Sequence, residues 1–319
     1  MPDGQDTFNT EPNPYAWNKI AHIVYIESPA GVGYSYVDAA EIPEYTDESS
    51  AADNYEAVKA FFAAEKFADL KDNDVYIAGE SYAGIYVPFL AHKILVEKKD
   101  TTIKLKGILV GNGVTDLKYD SNALWAMGFW HNVIDKNLEN KLVKNHCFPK
   151  ELSVYQEPTK TPSPACPALF DEFETKLAGI NIYDVYRKCW YDETKTYTGL
   201  NSKGEEYFIG MTAQDYTPWV FPEHARQGKR LEQNGVPCVY AQGTTKFFNE
   251  DLVKSKLHAN EDKISTWELC TNGKRIKYTS GVGSIQLYQD LVDAGLRILH
   301  FTGNTDGAVP AIGTRTWVT

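Results

Sequence analysis

The stretch GESYAGIYVP, Gly79 to Pro88, sets a serine among small neighbours directly after the apolar run DVYIA. A serine hydroxyl is a weak nucleophile until a sharp turn presents it to a neighbouring base, and such a turn excludes bulky flanking side chains. Gly79 lies two positions before Ser81, Ala83 two after it and Gly84 three after it. A strand entering and a helix leaving can then pass close together, which makes Ser81 the candidate nucleophile. The backbone N–H of Tyr82, at the start of that helix, is the candidate oxyanion donor. G-x-S-x-A by itself is weakly specific; the strand before it and the helix after it give it weight.

An α/β-hydrolase triad runs serine, acid, histidine along the chain, with the acid just after a late strand. The run LRILHFTGNTDGAVP supplies that place. Asp306 follows its apolar residues, where a carboxylate could orient an imidazole, although NTDG also suits an ordinary turn aspartate. Asp290 and Asp293 fall on the preceding helix and rank below it. The seven histidines are His22, His92, His131, His146, His224, His258 and His300, and none follows Asp306. Nothing here completes the triad in the expected order.

The elements that must hold these groups show as apolar runs. Residues 22–28 (HIVYIES), 74–79 (DVYIAG), 105–112 (LKGILVGN) and 296–304 (LRILHFTGN) are expected as buried strands. Helical patterns over 47–67 and 83–99 separate the early strands, and this alternation predicts an α/β fold with a mostly parallel central sheet and helices on both faces. From about Asp116 to about Ser280 the alternation breaks. That region holds NLENKLVKN, Pro- and Tyr-rich connections and all five cysteines. It is expected as a helical cap insertion, about 117–280 with its return to the core, within a single partial domain over 1–319.

With 319 residues, 43% hydrophobic and 13% aromatic, the chain can bury a large core. A net charge of -11 and a pI near 5.2, with no basic cluster, argue against a nucleic-acid partner. No apolar run approaches the ~18 residues that span a bilayer, and the polar N-terminus is unlike a signal peptide, so no membrane partner is expected. Cys147, Cys166, Cys189, Cys238 and Cys270 show no metal-like spacing; disulfides are expected, with one thiol left over, and neither a metal nor a cofactor is. There is no N-x-S/T sequon. The loop ESPAGVGYSY fits neither G-x-G-x-x-G nor the Walker pattern and is read as a tight turn walling the site.

Five segments, NPYAWNKIAHIVYIESPAGVGYSY (13–36), VYIAGESYAGIYVP (75–88), LKGILVGNGVTD (105–116), LVKSKLHAN (252–260) and LVDAGLRILHFTGNTDGAVPAIGTRTWV (291–318), resemble segments of the serine carboxypeptidase family, in family order. The resemblance spans nearly the whole chain and is weakest from about 117 to 235. It implies an α/β-hydrolase fold, Ser81 as nucleophile, Asp306 as triad acid, and release of C-terminal amino acids from peptides through an acyl-enzyme, without a cofactor. It also implies that Glu80, the acid before the nucleophile, helps bind the free C-terminal carboxylate of the substrate. Two carboxyl groups share a hydrogen bond only when one is protonated, so binding is expected to favour acidic pH. Asn304 is a small departure, because many members carry an aspartate two residues before the triad acid.

Larger departures lie at both ends. The family's upstream N-G-G-x-G-C motif, with an oxyanion donor, a carboxylate-binding group and a cysteine, is absent, as is the downstream G-x-G-H segment that supplies the base. The chain is therefore expected to be a fragment, nearly inactive by itself. By the same resemblance Cys270 pairs with the upstream cysteine, Cys147 with Cys166, and Cys189 with Cys238, where four cysteines alone allow three pairings. Trp190, Trp219 and Phe221 are expected either to line a pocket for apolar side chains or to form cap core. A lysosomal, vacuolar or secreted location is implied, a peptide with a free C-terminus is the implied partner, and a homodimer is compatible. Two rival functions stay open: acyl transfer to an alcohol, as in the family's acyltransferase relatives, and a non-catalytic binding or chaperone-like role, motivated by the missing histidine.

Overall fold

The structure is a computed structural model and describes residues 12–38, 43–147, 163–177, 180–186, 198–200, 206–208, 242–264, 266–269 and 276–318. Cys189, Trp190, Trp219, Phe221, His224, Cys238 and Cys270 lie outside the described residues. The chain divides into two compact units, one of Met1–Glu44 and Tyr240–Lys277, the other of Tyr45–Val239 and Tyr278–Thr319.

The second unit is built on three parallel strands. Thr46 and Ser49 close a capping box, each accepting from the other's backbone N–H at 3.2 and 2.8 Å, and so start helix α1 (Asp47–Ala63). Strand β1 (Val75–Glu80), helix α2 (Ala83–His92) and strand β2 (Leu105–Gly111) follow. The chain then runs through α3 (Leu117–Trp130), α4 (Lys136–Lys144) and α5 (Cys166–Leu177). Helices α6 (Gln242–Phe248) and α7 (Asp251–Lys256) belong to the first unit; α8 (Tyr288–Asp293), β3 (Arg297–Phe301) and α9 (Ala311–Val318) return to the second.

Strand β2 lies between β1 and β3 and is parallel to both, with Ile108 opposite Ile77 on one side and Ile298 on the other. The central strand carries a continuous apolar run, GILVG, whereas β1 and β3, expected as buried, are only half-buried, with Tyr76, Leu299 and Phe301 exposed on one face. Ile108 and Val110 of β2 pack with Tyr55 of α1, Val87 and Leu90 of α2 and Leu291 of α8. A second cluster, including Leu138, Leu142, Phe170 and Phe173, joins α4 to α5, and Cys147 and Cys166 form a disulfide within it.

The helix expected over 83–99 is α-helical to His92 and continues as a π-helix over Lys93–Glu97. Pro88 inside α2 has no N–H to offer the carbonyl of Gly84, and the buried Ser284 hydroxyl donates to that carbonyl at 2.6 Å.

In the first unit, ESPAGVGYSY is a tight turn. Ser35 N donates to Val32 O at 2.9 Å and Gly31 N to Ser35 O at 2.8 Å. The Glu27 carboxylate accepts from Tyr34 N at 2.7 Å and from Trp267 Nε1 at 3.1 Å. Gly33 has φ +50, which strains a residue with a Cβ, and a Cβ there would displace the Glu27 carboxylate from its place. The strand expected over 22–28 is not formed: no ladder pairs with it among the described residues, and Val24, Tyr25 and Ile26 are exposed. Apolar composition does not make a strand until its N–H and C=O groups find a neighbour.

Candidate active site

Strand β1 ends at Glu80 and α2 begins at Ala83, leaving Ser81 and Tyr82 to reverse the chain. Ser81 takes φ 60, in the left-handed region that is unfavourable for a residue with a Cβ. Three backbone hydrogen bonds hold it there: Ser81 N donates to Gly111 O at 3.1 Å, and Ser81 O accepts from Gly84 N at 3.0 Å and Val114 N at 2.8 Å. The small neighbours are a steric requirement. A Cβ on Gly79 would lie 2.3 Å from Ala83 Cβ, and one on Gly84 would lie 2.4 Å from Val114 O. Glu80 and Ser81 are exposed, whereas Tyr82 is buried with Ile85, Val114 and Val309.

Asp306 sits beyond the end of β3. Its Oδ2 accepts from Asn112 Nδ2 at 2.9 Å and Val309 N at 3.1 Å, and its Oδ1 from Ala308 N at 2.8 Å. Burial pushes this carboxyl above the usual range, the three donors pull it back, and the charge of Glu80 pushes it up again.

Asn112, which the sequence reading passed over, joins the two ends of the site. It follows β2 with φ 39, and its N donates to Phe301 O at 2.9 Å. Besides holding Asp306, Nδ2 donates to Thr302 Oγ1 at 3.1 Å, while Oδ1 accepts from Gly303 N at 3.0 Å. One side chain thus fixes the turn after β3 to the end of β2. The available signal was an asparagine straight after a strand in GNG, because asparagine tolerates the left-handed region better than most residues.

Ser81, Glu80 and Asp306 therefore all stand at the C-terminal ends of parallel strands, the edge at which α/β sheets bind ligands. None of the described histidines is hydrogen-bonded to Ser81 or Asp306. His92 lies 3.5 Å from Glu97 and 3.1 Å from Asp290, and His131 lies 3.0 Å from Tyr186. His300 Nε2 is 2.6 Å from the Tyr288 hydroxyl, and burial lowers its pKa to about 4. No cluster of His, Cys, Asp and Glu suited to a metal occurs among the described residues.

A serine at positive φ between a parallel strand and a helix, with a carboxylate beyond a later parallel strand, defines the α/β-hydrolase class. The family model for serine carboxypeptidases matches residues 3–319, and the chain belongs to that family. It is 31% identical to Serine carboxypeptidase-like 21 of Arabidopsis thaliana, covering 96% of this chain and 64% of the relative. It is 29% identical to Serine carboxypeptidase 1 of Hordeum vulgare (96% and 63%) and 30% identical to the Lysosomal protective protein of Mus musculus (98% and 64%). The chain spans less than two thirds of the length of these relatives. The crystal structure of Kex1(delta)p, a prohormone-processing carboxypeptidase from Saccharomyces cerevisiae, has the same fold, with a TM-score of 0.58 at 20% identity over 92% of this chain and 58% of that one.

Proposed function

We propose that the protein carrying this chain is a serine carboxypeptidase that removes C-terminal amino acids from peptides. The observation behind it is Ser81, exposed and held at φ 60 at the strand–helix junction of a chain of this family. Ser81 Oγ attacks the carbonyl carbon of the last peptide bond, giving its proton to an imidazole. The Tyr82 N–H donates to the resulting oxyanion. The C–N bond breaks as the imidazole passes the proton to the leaving amine, and water then cleaves the acyl-enzyme by the same steps. Asp306 orients the imidazole and stabilises its positive charge. Glu80 shares a proton with the carboxylate of the departing residue, which favours acidic pH.

The chain spans less than two thirds of the length of these relatives, so the activity is assigned to the whole protein. The Cys147–Cys166 disulfide supports an oxidising compartment, lysosomal, vacuolar or secreted. Among the described residues no helix is long and apolar enough to cross a membrane.

The test uses the whole protein with a blocked dipeptide and a fluorophosphonate. Labelling at Ser81, and loss of roughly 10³-fold or more of the hydrolysis rate in Ser81→Ala, are expected. Survival of activity in that variant would sink the assignment.

A further inference from the structure

The carboxylate of Asp47 is buried to 1% exposure in the second unit, far along the chain from the nucleophile turn, and the mechanism above does not use it. Its Oδ1 accepts from the Tyr82 hydroxyl at 2.7 Å and from the Tyr278 hydroxyl at 2.9 Å, and its Oδ2 accepts from Gly281 N at 2.8 Å. It is also the first residue of the 17-residue helix α1, where the helix dipole favours a negative charge. A buried carboxylate is costly unless hydrogen-bonded, and an apolar replacement of a buried ionic group is often neutral or better for stability. Two of its three donors are phenols, and one of those phenols belongs to the residue after the nucleophile.

What it grips is the side chain of the residue after Ser81. Tyr82 is the N-cap of α2, and its phenol is fixed at the far end by Asp47, with Ser280 Oγ 2.8 Å from the same hydroxyl. Around the ring, Tyr86 and Tyr278 pack edge-on at centroid distances of 4.8 and 5.7 Å. Two residues further along, in α2, Ser284 holds the Gly84 carbonyl. The first turn of α2 is thus clamped through one phenol and one carbonyl, from α1 and from the 278–284 segment.

We propose that Asp47 is a positioning residue for the oxyanion donor: by anchoring the Tyr82 hydroxyl it fixes the Ser81–Tyr82 peptide in the orientation that points the Tyr82 N–H at the developing oxyanion. The inference rests on the serine-hydrolase reading for its catalytic consequence, but its structural part does not. Misplacing a group by about 1 Å is enough to lose on the order of 10² in rate, and losing a donor outright loses about 10² to 10³.

Two measurements keep those parts separate. Hydrogen exchange of this chain is followed for peptides covering 80–87, with β2 and α5 as internal references, in wild type, Asp47→Asn and Tyr82→Phe. Both variants are expected to speed exchange at 80–87 by about tenfold while the references stay unchanged. Unchanged exchange at 80–87, or an increase spread equally over α5, overturns the proposal, since Asp47 is then either idle or a plain fold stabiliser. In the whole protein the same variants are expected to lower kcat by roughly 10- to 100-fold with KM within about twofold. An unchanged kcat in both variants of an active enzyme also overturns it. If the wild-type protein neither hydrolyses peptide nor reacts with fluorophosphonate, the carboxypeptidase reading fails, and the exchange result still decides whether Asp47 anchors the turn.

Discussion

Replacing Asn112 by glycine would delete the amide that donates to Asp306 while leaving φ 39 accessible without strain. Hydrogen bonds to a charged group contribute about 1.5–3 kcal/mol, so the ionised form of Asp306 loses support that burial already erodes, and its pKa rises further. A raised acid is less ionised at low pH. The acid limb of kcat/KM in the whole protein should therefore move to higher pH in Asn112→Gly, with roughly 10- to 100-fold lower activity at the acidic end. A pH–rate profile of the variant that overlays wild type would refute the link. The nucleophile turn was legible in the sequence because its steric demand is local: Gly79, Ala83 and Gly84 lie within three residues of Ser81. Asn112 and Asp47 were not, because their partners Asp306 and Tyr82 lie 194 and 35 residues away along the chain.

At the level of elements, β1, β2 and β3 were readable because each is a short apolar run next to a helical pattern. The run over 22–28 has the same composition and forms no strand, since pairing depends on a neighbour that composition does not specify. The pairing of Cys147 with Cys166 was implied by resemblance, not by spacing, and it ties the end of α4 to the start of α5 across 19 residues of chain. Closing a loop of that size removes unfolded-state entropy equivalent to about 3 kcal/mol. The double variant Cys147→Ala/Cys166→Ala should therefore unfold at lower denaturant, with a loss of about 3 kcal/mol. Exchange should rise first in α4 and α5, whose Leu138, Leu142 and Phe173 share that cluster. A denaturant midpoint equal to wild type would show that the cluster is self-sufficient without its staple.

Over the whole molecule, the buried Asp120 and the half-buried His300 pull the pH dependence of stability in opposite directions. Asp120 sits in the first turn of α3 with Oδ2 accepting from Thr115 N at 2.8 Å and Asp116 N at 3.1 Å, while Oδ1 is buried without a partner among the described residues. Burial outweighs the two donors and, with the Asp116 charge, pushes its pKa from 3.8 to about 7. Its folded form holds a proton that the unfolded chain has released. That contribution is full below about pH 4 and is lost as pH rises to about 7; it corresponds to roughly 4 kcal/mol. His300, beside Tyr288, has the reverse sign. Burial lowers it from 6.5 to about 4, so its contribution is present above the unfolded value and is lost as pH falls towards 4; it corresponds to about 3 kcal/mol. Between about pH 4 and 6.5 these two contributions run in opposite directions and nearly offset each other. Asp120→Asn removes one side of the balance and keeps an oxygen to accept from Thr115 and Asp116. Relative to wild type, its unfolding free energy should fall by a further ~2–3 kcal/mol from pH 6.5 to 4.5, and His300→Gln should shift the difference the other way. Urea unfolding at pH 4.5, 5.5, 6.5 and 7.5 measures both slopes. Parallel curves for wild type and Asp120→Asn would mean that Asp120 is ionised in the folded protein, with its charge balanced by groups other than the two backbone donors.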